Sequence, residues 1–156
     1  MAKLLFLSDS HGHVANLLAA VEREAPDAVF HMGDLWQDAQ DLHAACPGLP
    51  LYAVAGNCDG FAPRLMLERT VEVEGMRFFL THGHLYPSRE LLVRAGRAQG
   101  ADAVLSGHSH IARAEREPGG LWLINPGTAG GVRRPPTYAV GELSQGALTV
   151  RIVPLP

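Results

Sequence analysis

Short apolar runs in this chain repeatedly end on side chains that can bind a metal, and that placement limits how the chain can fold. In order the endings are Asp9-Ser10-His11, Gly33-Asp34, Gly56-Asn57-Cys58-Asp59, Thr81-His82-Gly83-His84 and Gly107-His108-Ser109-His110. Their oxygen and imidazole donors suit borderline-hard divalent cations. Donors at the ends of strands far apart in sequence can meet only if those strands share a sheet. Open α/β sheets bind ligands at the carboxyl ends of their strands, which is where each of these segments falls.

The apolar pattern between the segments predicts an α/β chain of two packed mixed β-sheets flanked by helices, forming one domain over residues 1–156. Lys3–Ser8 reads as a continuous buried strand, of the kind found in parallel sheets. Val14, Leu17, Leu18 and Val21 recur at helical spacing, and Pro26 should stop that helix. Ala28–His31 is the next strand, Trp36–Ala45 a helix and Leu51–Ala55 a third strand. The second half is richer in strands: Thr70–Glu74 turns through Gly75 into Met76–Thr81. A helix starts at Ser88 and stops at Gly100. Ala103–Ser106, Ile111–Glu117 and Leu121–Ile124 follow, and a last hairpin pairs Thr137–Leu143 with Leu148–Val153.

Asp9 and His11 are one residue apart, as are His108 and His110, so in extended chain each pair points to one side. Asp34 carries two oxygens that can bridge neighbouring cations, and Asn57 offers a neutral amide oxygen. With His82, this set of seven is too large for one ion and suits two that share Asp34. Two divalent cations against two carboxylates and a hydroxide leave one positive charge, which attracts a phosphate anion. Paired metals activate water and clamp the attacking and leaving oxygens of an in-line displacement.

The series D-x-H, G-D, G-N-x-D, H-G-H and G-H-x-H, running in order from Lys3 to Thr128, resembles that of the calcineurin-like metallophosphoesterases. Ser8-Asp9-Ser10-His11-Gly12 and Asn125-Pro126-Gly127-Thr128 are similar to the small bacterial and archaeal phosphodiesterase branch. The resemblance implies a metallophosphoesterase-type β-sandwich with outer α-helices. It implies that Asp9, His11 and His110 hold one metal, and that Asn57, His82 and His108 hold the other, with Asp34 bridging. Asp34 and Asn57 would then be catalytic, Asn57 also touching substrate, while a bridging hydroxide attacks phosphorus. The implied enzyme is a dimetal phosphodiesterase acting on small phosphate diesters.

One position departs from the larger family. Where many members have histidine after the G-N pair, this chain has Cys58. That histidine protonates the leaving oxygen in the family, a general-acid step typically worth about 10²–10⁴-fold. A thiol with a reference pKa near 8.5 is a poor substitute. The expected preference is for acidic, aryl-type leaving groups and for diesters.

Manganese is the favoured ion, although zinc, iron, nickel or cobalt also suit such donors. The competing readings are a phosphomonoesterase or nucleotide phosphatase on the same site, or a protein-binding scaffold like the retromer's small subunit. A net charge of −3 argues against a nucleic-acid track. Two cysteines are too few for a secreted disulfide framework, and no apolar run reaches the roughly 20 residues of a membrane helix. The expected location is the cytoplasm, without a membrane partner, and self-association through the strand-rich half is plausible. His31, His43 and Cys46 read as structural, while His13 and His84, each two residues past a proposed ligand, read equally as near the site or as solvated. Arg133-Arg134-Pro135-Pro136 has the composition of either a phosphate-contacting loop or a solvated turn, and the solvated turn is the preferred reading. Substrate selection is assigned to the segments Leu35–Asp41, Phe61–Leu65 and Tyr86–Ser88.

Overall fold

The computed structural model describes residues 1–60 and 66–156. The first half runs β1 (Ala2–Leu7), α1 (Val14–Glu24), β2 (Ala28–His31), α2 (Trp36–Ala45), β3 (Leu51–Ala53). The rest runs β4 (Glu68–Val73), β5 (Met76–Thr81), α3 (Arg89–Ala98), β6 (Ala103–Leu105), β7 (Arg113–Arg116), β8 (Trp122–Asn125), β9 (Thr137–Ser144), β10 (Ala147–Pro154). These strands form two five-stranded mixed sheets, ordered β10-β9-β1-β2-β3 and β4-β5-β6-β8-β7.

Residue alternation explains the layering. Leu4 and Phe6 of β1, with Phe30 of β2, point toward the second sheet and pack with its Phe78, Leu80, Leu105 and Ile124. The rings of Phe6, Phe30 and Phe78 lie 5.4–6.3 Å apart and tie the two sheets together. Leu5 and Leu7 point the other way, onto Leu17 and Ala20 of α1 and Leu42 of α2. On the outside of the second sheet, Phe79 and Val104 meet Leu92 and Val93 of α3. Strands buried on both faces need no polar alternation, which is why they read as continuous apolar runs. At Gly96 a Cβ would lie 2.3 Å from the Val104 side chain, so glycine lets α3 sit close on β6.

One expectation needs correction. The donor-bearing strands do not share one sheet: β1, β2 and β3 run parallel in the first, while β5, β6 and β8 run parallel in the second. The carboxyl ends of both parallel cores still open on one common edge. The C-terminal hairpin crosses to the first sheet. β9 pairs antiparallel with β1, Leu5 opposite Val140, and completes the first sheet. Strand identity is written in local pattern, but the sheet a strand joins depends on long-range pairing.

Candidate metal centre

The ligand-bearing loops leave their strands in strained backbone. Asp9, His11, Asp34, His108 and His110 have φ of 52°, 44°, 48°, 69° and 64°. Nothing in extended chain holds the Asp9–His11 and His108–His110 pairs together, contrary to the alternation argument. Left-handed turns bring them together instead, and such strain at non-glycine residues clusters at functional sites. Glycine permits the crowding: a Cβ on Gly56 would lie 2.1 Å from Asp34 Oδ1, and one on Gly107 2.0 Å from Ser8 Oγ.

Backbone bonds knot the first two loops, with Asp9 N–H donating to Gly33 O at 2.8 Å and His11 N–H to Asp34 O at 3.0 Å. Asp9 is fully buried. Its Oδ2 accepts from Ser8 Oγ at 2.6 Å and from His108 N at 3.0 Å. Its Oδ1 faces His110 Nε2 at 3.1 Å, His82 Nε2 at 3.8 Å and His11 Nε2 at 3.9 Å. Asp34 Oδ1 accepts from Cys58 N at 3.0 Å, while Oδ2 faces His82 Nε2 at 3.3 Å and His11 Nε2 at 4.0 Å.

Outer partners fix two of the rings. His82 Nδ1 donates to Met32 O at 2.7 Å, and His110 Nδ1 to Val132 O at 2.9 Å. Each neutral ring therefore presents a lone pair at Nε2 toward a carboxylate. Among the described residues, the buried atoms Asp9 Oδ1, His11 Nε2 and His82 Nε2 have no hydrogen-bond partner. Acceptors that face one another this closely need a positive charge between them, and a divalent cation fits. Burial pushes the His82 pKa down, but Asp34 and Asp9 outweigh it and raise the pKa above the ordinary value. Burial likewise works against the Asp34 carboxylate, yet His82 and the Cys58 N–H hold its pKa well below the usual range. The centre favours positive charge.

The ligating atoms of Asp9, His11 and His110 lie within 4.8 Å of one another, as do those of Asp9, Asp34 and His82. His108 joins through Asn57, its Nδ1 being 3.1 Å from Asn57 Oδ1, with its ring 5.1 Å from that of His82. All seven sequence-derived donors thus meet at one edge of the molecule.

Other residues take roles that their sequence context did not show. Asp59 accepts from Gly56 N at 2.6 Å, Trp36 N at 2.6 Å and Asp34 N at 3.2 Å, bracing the second loop against the third. Asp38, in the segment assigned to substrate selection, points inward instead. It accepts from Ser10 Oγ and from Gly12 N, both at 2.7 Å. Ser10 Oγ in turn accepts from His31 Nε2 at 3.0 Å, and burial holds the His31 pKa down at about 4. His31 is structural, as expected, but it braces the D-x-H loop. Asn125 donates to Gly107 O at 3.0 Å, and Thr128 Oγ1 donates to Asp9 O at 2.8 Å, so the N-P-G-T turn is scaffold.

His13 caps α1, its ring on Ser10 O at 3.1 Å, and His84 lies with its ring 5.5 Å from that of His82. Among the Leu35–Asp41, Phe61–Leu65 and Tyr86–Ser88 segments, the second lies outside the described residues. A cleft of about 420 Å³ opens over the donors and is lined by His11, Asp34, Asn57, Cys58, Ser109, His110, Arg133 and Arg134, among others. The Arg133-Arg134 turn is therefore exposed but forms part of the cleft wall. A neighbouring hollow of about 410 Å³, lined by His84 and Tyr86, shares His108 and Ser109 with it. The Cys58 thiol faces His11 and Asp34, and burial with the nearby Asp34, Asp59 and Asp9 pushes its pKa up to about 11.

Residues 2–146 match the profile of the calcineurin-like phosphoesterase superfamily domain. A Bacillus subtilis protein named a probable metallophosphoesterase is 38% identical over 156 residues, covering 95% of this chain and 88% of its own. A Methanocaldococcus jannaschii protein named a phosphodiesterase is 29% identical over 148 residues, covering 80% of this chain and 82% of its own. The crystal structure of a conserved Streptococcus pneumoniae protein, described as a predicted phosphoesterase, superposes with a TM-score of 0.81 at 27% identity. It covers 98% of this chain and 89% of the other.

Proposed function

Because the chain belongs to the calcineurin-like phosphoesterase superfamily, we propose that it is a dimetal phosphodiesterase that hydrolyses small phosphate diesters. The observation that carries this reading is the set of unpartnered buried atoms, Asp9 Oδ1, His11 Nε2 and His82 Nε2, clustered with Asp34 beside the cleft that His11 and Asp34 line. Asp9, His11 and His110 would hold one cation and Asn57, His82 and His108 the other, with Asp34 between them; manganese is the favoured ion. When bound, such cations supply positive charge to the phosphoryl oxygens and acidify a water for in-line attack on phosphorus.

The chain's own residues supply orientation. Met32 O and Val132 O lock two imidazoles with Nε2 forward, and the Cys58 N–H holds Asp34 so that Oδ2 stays free. The Asn57 amide stands where it can donate to a substrate oxygen. With a protonated thiol at Cys58, the leaving oxygen departs with little help from an acid, which favours acidic leaving groups and diesters. The two unpaired cysteines support a cytoplasmic setting.

The test is metal analysis of the purified protein, followed by parallel assays with manganese on bis(4-nitrophenyl) phosphate and 4-nitrophenyl phosphate. The expected result is about two metals per chain and a higher kcat/KM on the diester. Faster monoester hydrolysis would replace the proposal with a phosphomonoesterase, and no turnover with any of the five metals would replace it with a scaffold.

A further inference from the structure

We propose that Arg133 and Arg134 form a subsite for a second phosphate, so that the preferred substrate is a phosphodiester carrying an additional phosphate monoester group. The inference rests on the phosphodiesterase reading for the position of the scissile phosphate. Both guanidinium-bearing residues line the same cleft as His11, Asp34 and Asn57. Arginine binds phosphate through paired N–H groups in a planar fork.

Their charge is uncompensated. Arg77, Arg89, Arg113 and Arg151 each pair with glutamate, while the other described arginines do not, so it is their place on the cleft wall that sets Arg133 and Arg134 apart. Among the described residues, Arg133 and Arg134 make no ion pair with a carboxylate. Two free positive charges on a cleft wall exceed what one monoanionic diester needs once the cations have taken up its charge.

Their backbone is held rigidly to the metal centre. Val132 O accepts from His110 Nδ1 at 2.9 Å, and Val132 N donates to Thr128 Oγ1 at 3.2 Å. The same Thr128 hydroxyl donates to Asp9 O at 2.8 Å, so one buried group joins the arginine turn to the D-x-H loop. Pro135 and Pro136 restrict the exit from the turn, and Arg133 sits at a φ of 65° that a non-glycine residue rarely adopts. Mounted this way, the two side chains lose less freedom when they grip a ligand.

The test compares propyl phosphate with propane-1,3-diyl bisphosphate as competitive inhibitors of bis(4-nitrophenyl) phosphate hydrolysis, with manganese in excess. The wild-type protein should bind the bisphosphate at least tenfold more tightly, and Arg133→Gln/Arg134→Gln should reduce that ratio to about the statistical factor of two. Arg133→Lys/Arg134→Lys, which keeps the charge but not the fork, should retain part of the ratio. Calorimetric titration of both ligands, with and without manganese, reads the same preference without catalysis. A wild-type ratio within twofold, or a ratio that survives in the glutamine variant, would overturn the inference. If the wild-type protein hydrolyses no diester, the phosphodiesterase reading fails, and the calorimetric ratio alone decides for or against the arginine subsite.

Discussion

Asp34 and Cys58 are the two residues whose chemistry is most exposed to test. Asp34→Asn removes the carboxylate proposed to bridge the cations and should lower manganese affinity and diester turnover by two orders of magnitude or more, measured by calorimetry and steady-state kinetics. Cys58→His places a group with a reference pKa near 6.5 over the cleft. It should raise turnover of alkyl esters by about 10²-fold or more, while bis-aryl turnover, which needs little acid assistance, changes far less. No gain on alkyl esters would sink the account of Cys58. The donors themselves were legible because imidazole and carboxylate at these spacings have few other uses. Asp38 and Asp59 were not, since a buried carboxylate collecting backbone N–H groups looks like any turn aspartate in sequence.

Elements act here through the braces between them. Asp38 ties the start of α2 to Ser10 and Gly12. Asp38→Ala should weaken manganese binding by about 10–100-fold through loss of outer support. Metal titration followed by calorimetry measures that loss directly.

The end of α1 is held by Glu24, which is buried and accepts from Tyr138 Oη at 2.5 Å, Lys3 Nζ at 3.1 Å and Arg151 Nη2 at 2.8 Å. Burial raises its pKa, but these three partners outweigh burial and leave it below the ordinary 4.5. A depressed carboxylate pKa stabilises the fold fully above its unfolded-state value and loses that effect as pH falls through the folded-state value. Glu24→Gln should therefore cost about 1–3 kcal/mol at neutral pH and flatten the loss of stability below pH 4.5, read by urea melts across pH. The exposed guanidinium of Arg151 contributes the smaller share.

At the scale of the whole molecule, the two sheets share one aromatic seam, and the candidate metal centre spans both. Phe30→Ala should cost about 3–5 kcal/mol in thermal unfolding, because Phe6, Tyr52 and Phe78 pack around that ring. Chelation should also lower the melting temperature. Metal at a hundred times its dissociation constant contributes about 2.7 kcal/mol, and Asp34→Asn should lose most of that effect. The strands, the helices and the candidate donors could be read from the chain alone, because apolar periodicity and ligand chemistry are local properties. The folded molecule alone shows that these donors come from two sheets, that the C-terminal hairpin flanks β1, and that a solvated-looking arginine turn lines the cleft. Each of those depends on contacts between residues far apart in the chain, which no local pattern encodes.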